Sequence, residues 1–169
     1  MRSRIMKRMS AGVTAAGVTA AGLAFLFSGP AWAASSPQPA SGTFLVTSAT
    51  VNSVSTADGN TIVVLTVSGI TTGTIDGSFT ETDREVVHPG GSVTEQGTGI
   101  QSGTLGTCGT GSVRYVAGFR GNGSTASGRT QFIDQAASTS TPMKIHMVMR
   151  WTFNDLTGEG TYTGTYHCT

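Results

Sequence analysis

The residues most able to do chemistry lie in one short run, Thr80-Glu81-Thr82-Asp83-Arg84-Glu85. Glu81, Asp83 and Glu85 alternate, so a strand places all three on one face at intervals of about 7 Å. Carboxylates so arranged could hold a hard cation such as calcium, and a pair of them could share acid–base work. A solvated strand face is the plainer reading and the expectation here. Calcium loops use Asp/Asn/Gly turns, which this run is not, and no metal site is assigned.

The remaining chemistry-bearing residues form no motif. His88, His146 and His167 are not at metal-ligand spacing, and no shared site is expected of them. No Gly-x-Ser-x-Gly elbow occurs. The glycine-rich runs at Gly97–Gly99 and Gly106–Gly111 lack the following helix and lysine that phosphate binding needs. Asn122-Gly123-Ser124 matches a glycosylation sequon, but a hairpin turn accounts for it. No catalytic residue is assigned and no cofactor is implied. Cys108 and Cys168 are the only cysteines. An even count in an exported chain reads as a disulfide, and neither residue has the close partner of a metal pair or a CxxC motif.

These residues sit in a chain that reads as all β. Nowhere do apolar residues recur with helical spacing over three capped turns; Thr, Val and Gly dominate instead. Strands are expected at Thr43 to Val51, Thr61 to Val67, Thr74 to Val87 (with a bulge at Asp76-Gly77), Ser92 to Leu105, Ser112 to Arg120, Ala126 to Ile133, Met143 to Phe153 and Gly158 to Cys168. Asp58-Gly59-Asn60, Pro89-Gly90-Gly91, Asn122-Gly123 and Asn154-Asp155 supply turns, and Gln135 to Thr141 reads as a polar loop. Ile62-Val63-Val64-Leu65 is apolar on both faces and is expected to be buried. In the fifth strand Val113, Tyr115, Ala117 and Phe119 alternate with Arg114 and Arg120. In the seventh, Met143, Ile145, Met147, Met149, Trp151 and Phe153 alternate with Lys144, His146, Arg150 and Thr152, which predicts an inward and an outward face. Eight sequential strands with short connections favour an antiparallel up-and-down barrel, with a two-layer sandwich as the alternative.

The N-terminus reads as an export signal over residues 1–33. Arg2, Arg4, Lys7 and Arg8 precede an uncharged stretch to Phe27, and Ala31-Trp32-Ala33 supplies a small-residue cleavage site. No twin arginine and no cysteine at the cut are present, so export of an unanchored, unfolded chain is expected, giving a secreted protein with no membrane span after cleavage. Residues 34–42 read as a flexible leader and 43–169 as one domain. Removing the four signal cations from ten leaves six against nine acidic residues, a net charge of −3. With no Lys/Arg cluster, nucleic-acid binding is disfavoured.

Thr72-Gly73-Thr74-Ile75-Asp76-Gly77-Ser78-Phe79, together with the closing Thr157-Gly158-Glu159-Gly160-Thr161-Tyr162-Thr163-Gly164-Thr165-Tyr166, resembles the Gly-rich strands of small bacterial domains related to the allene oxide cyclase barrel. The resemblance implies an eight-stranded, calycin-like barrel exported by a bacterium. It transfers no catalytic residue. Such a barrel either fills its interior or holds one small ligand. Val113, Tyr115, Phe119, Met147, Met149 and Trp151 are expected to surround an apolar cavity that takes a small hydrophobic molecule; in the alternative they pack as ordinary core. A structural or interaction protein of the cell exterior is the competing function, and an isomerase or cyclase a third.

Overall fold

The computed structural model describes residues 36–133, 143 and 145–169. The expected signal, the loop at Gln135 to Thr141 and Lys144 lie outside the described residues. Eight strands follow one another: β1 (Gln38–Ala57), β2 (Asn60–Gly73), β3 (Ile75–Val87), β4 (Val93–Leu105), β5 (Thr110–Gly121), β6 (Thr125–Ile133), β7 (Ile145–Asn154) and β8 (Glu159–Cys168). Each pairs antiparallel with the next, and β8 pairs with β1 to close a barrel. Closure satisfies the backbone groups that an open sheet leaves at its edges, and it decides for the barrel over the sandwich. The turns follow local chemistry. At the β1–β2 hairpin Asp58 and Gly59 both take positive φ, 52° and 77°, as Asp-Gly favours.

Four expectations need correction. The first strand begins at Gln38, not Thr43, because Gln38 to Leu45 forms the seam with β8. A ladder bonds through the backbone, so small polar residues that read as a linker serve there as well as apolar ones. The bulge expected at Asp76-Gly77 is absent, since β3 pairs in unbroken register with both neighbours. The shifts fall in β1 instead, at Thr47 and Asn52. Ile62 to Leu65 are half-buried rather than buried. The wall is a single sheet, so Leu65 faces inward while Val64 lies outside beside Arg84 and Gln96. In β7, Ile145 and Met147 are buried and His146 and Arg150 exposed, but Met149, Trp151 and Phe153 are only half-buried, because the interior beside them is not filled.

One end of the interior is sealed. Ile75, Leu105, Phe132, Ile145 and Met147 are each at most 1 % exposed and form a floor with Val113, Tyr162 and Tyr166. Two tyrosines fasten it. The Tyr162 hydroxyl accepts from Ile75 N at 2.8 Å, and the Tyr166 hydroxyl accepts from Thr107 N at 3.3 Å. Cys108 and Cys168 are bonded at the same end, tying the β4–β5 turn to the last strand.

Candidate functional site

Above the floor the inward side chains stop interlocking and leave a cavity of about 430 Å³. Its apolar wall is aromatic. Phe44 stands edge-on to Phe79 and to Trp151, with ring centroids 6.4 and 6.0 Å apart, and Phe119 stands edge-on to Trp151 at 5.3 Å. Trp151 is fixed further by donating from Nε1 to Thr130 Oγ1 at 3.0 Å. These mutual contacts hold the rings in place without closing the space between them.

Beside these rings the wall is acidic. β3 continues its inward face from Ile75 and Phe79 to Glu81, Asp83 and Glu85, and β4 adds Glu95, which pairs with Glu85 across the ladder. One carboxylate oxygen from each of Glu81, Asp83 and Glu95 lies within 4.8 Å of the others. The solvated-face expectation is therefore overturned. Asp83 is 2 % and Glu95 6 % exposed, because the run shares the parity of the buried Ile75 and Phe79.

Two glycines of β4 make this packing possible. Gly97 is opposite Asp83, and a Cβ there would collide with Asp83 Oδ1. Gly99 lies between Glu81 on β3 and Tyr115 on β5. Its missing side chain lets the Tyr115 ring lean across β4, where a Cβ would come within 2.5 Å of it, and the hydroxyl donates to the Glu81 carboxylate.

Among the described residues no lysine or arginine lines the cavity, so the acidic wall has little to offset its charge. Burial raises the Asp83 carboxyl to about 8, with the Glu81 and Glu85 charges adding to the effect. Burial also raises Glu95, with Asp83 next in importance. Burial raises Glu81, which the Tyr115 hydrogen bond partly counters. Burial and the neighbouring Glu81 raise the Tyr115 hydroxyl. Loss of hydration disfavours each charged form, and like charges disfavour it again. The carboxyls share protons among themselves, Glu95 bonding to both Asp83 and Glu85. Asp83 Oδ1 nevertheless has no hydrogen-bond partner.

Four of the six expected pocket residues, Tyr115, Phe119, Met149 and Trp151, line the cavity. Val113 and Met147 do not. They lie one step deeper on the same faces, 2 % and 0 % exposed, where the barrel is filled. Phe44, Phe79 and the acidic residues were not expected there. Their parity with Ile75 carried the signal for β3, whereas Glu95 joins them only through the β3–β4 register. The histidines divide. His146 and His167 face each other across β7 and β8 with ring centroids 5.0 Å apart. His88 sits at the other end of the barrel, its Nδ1 2.9 Å from Asn60 Oδ1. Compared with protein-family models the chain matches none, and no curated protein matches it.

Proposed function

We propose that the barrel is a binding module that holds a small, largely apolar molecule in its interior, as an exported protein of the allene oxide cyclase-like barrel class. The cavity carries this reading. Its 430 Å³ falls within the 300–1,000 Å³ range usual for ligand pockets, and its rings are braced against one another rather than collapsed into the space. Met149 in the wall is an adaptable side chain suited to shaping itself around a guest.

Trp151 reports on occupancy. The other tryptophan, Trp32, belongs to the proposed signal, so the processed protein would carry a single indole, set in the cavity wall. Titration with apolar probes should shift or quench its fluorescence saturably, and Trp151→Phe should abolish the signal while leaving binding measurable by calorimetry. Absence of saturable binding by both methods would overturn the reading.

One observation favours an interaction role instead. From Thr47 to Ala57 β1 is paired with β2 alone among the described residues, and Val51 and Val54 along it are 60 % and 61 % exposed. Such an edge could accept a further strand. The acid–base alternative, an isomerase or cyclase, draws support from the raised carboxyls within the cavity, since acidic groups held protonated near neutrality can transfer protons.

A further inference from the structure

We infer that the guest of this cavity is an organic ammonium, an apolar body carrying a positively charged nitrogen that Glu81, Asp83 and Glu95 receive. The inference rests on the binding reading above and adds the chemical class of the ligand.

Three observations converge on it. First, the acidic wall lacks a partner of the right kind. Asp83 is 2 % exposed and its Oδ1 accepts no hydrogen bond. Asp83, Glu81 and Glu95 all line the cavity, and among the described residues no Lys or Arg does. Carboxylates can only accept when ionised, so what is missing must bring donors, positive charge or both. An ammonium brings up to three N–H donors and a full charge, and its hydrogen bonds to carboxylate are of the strong, charge-assisted kind.

Second, aromatic rings flank the carboxyls. Phe119 lies directly across the ladder from Glu95, and Phe79 lies two residues before Glu81 on the same strand face. A cation held by carboxylates with aromatic rings close by can gain from both. Third, the space is too large for a bare ion alone. The three oxygens within 4.8 Å of one another would suit a hard divalent cation, but such an ion leaves the rest of the 430 Å³ and its aromatic wall without an occupant. An apolar tail on the nitrogen fills that volume.

The test uses calorimetry on the full chain with three probes that share one body, 4-phenylbutylammonium, 4-phenylbutanol and 4-phenylbutanoate, and with calcium chloride alone. The ammonium should bind at least about tenfold more tightly than the alcohol, as one or two charge-assisted hydrogen bonds would give, and the carboxylate should bind least. Asp83→Asn and Glu95→Gln should each reduce that preference while alcohol binding persists. Both substitutions remove buried charge, and a retained thermal transition confirms that each folds; Glu81→Gln serves as the third variant. If ammonium and alcohol bind equally, the inference fails and the binding reading stands. If calcium binds and none of the organic probes does, the site is a metal site and both fail. If nothing binds, both fail as well.

Discussion

The two halves of the barrel interior are built by the same strands on the same alternating faces, yet they end in opposite states. In the lower half Ile75, Leu105, Phe132, Ile145 and Met147 interlock until almost no surface is left. In the upper half the next inward residues on those strands include Glu81 and Asp83 on β3, Gly97 and Gly99 on β4, and Met149 and Trp151 on β7, and together they leave 430 Å³ open. The lower half has volume to match the barrel's bore. The upper half substitutes glycines and hydrogen-bonding groups for bulk, and its rings brace one another around the space. The floor, with its disulfide, supplies packing that the chamber lacks, and the chamber holds buried carboxyls beside its open volume.

The comparison would break first in the floor. Phe132→Ala should destabilise the protein by about 3–5 kcal/mol, the range for truncating a fully packed aromatic residue, read from the urea unfolding midpoint. A loss near 1 kcal/mol would mean that the floor is no better packed than the chamber.

Replacing both Cys108 and Cys168 by Ala should cost about 2–4 kcal/mol, because the bond closes a 60-residue separation and restricts the unfolded chain. Ligand affinity should change little, since the bond lies at the floor end. Parallel loss of affinity and stability would show that the two halves are not separable.

The chamber should reveal itself through pH. The Asp83, Glu95 and Glu81 carboxyls are raised in the folded protein, so the folded state holds more protons than the unfolded chain above the ordinary carboxylate range near 4. Their contribution is fully present below that range and is lost as pH rises towards the folded value, about 8 for Asp83. Unfolding midpoints of the ligand-free protein should therefore fall between about pH 4 and 8, and Asp83→Asn should flatten the slope. A rise in stability across that interval would contradict the buried-carboxyl arrangement.

The smallest effect on stability is expected at Met149. It is half-buried and faces the cavity, so truncation to Ala removes few contacts and should cost about 1 kcal/mol or less. Met147→Ala, two residues earlier on the same face and fully buried, should cost about 2–5 kcal/mol. The pair compares the two halves within one strand, and equal losses would erase the distinction between them.

Much of the frame was legible from local patterns. The alternation of β5 and β7 places Val113, Tyr115, Ile145 and Met147 inward, and Asp58-Gly59 marks its turn because few residue pairs accept positive φ in succession. The cysteine pair follows from the even count and the expected export. Harder to read was the start of β1, whose Ala40, Ser41 and Gly42 look like a linker and become a seam only when β8 arrives.

The candidate site was legible in part. Glu81 and Asp83 share parity with Ile75 and Phe79, but a charged run reads as solvated until the sheet curls its face inward. Glu95 lies twelve residues further on, and only the β3–β4 register sets it beside Glu85. Gly97 and Gly99 look like generic breaks in a strand until Asp83 and Tyr115 are found occupying the space they leave.

The sequence alone determined the strands, most of their inward faces, the cysteine pair and the character of the turns, because each depends on residues close in the chain or on composition. The tertiary structure decided which inward residues fill the bore and which leave it open, and which carboxyls meet. Those outcomes depend on volumes summed across eight strands and on the register between neighbours, quantities that no single segment contains.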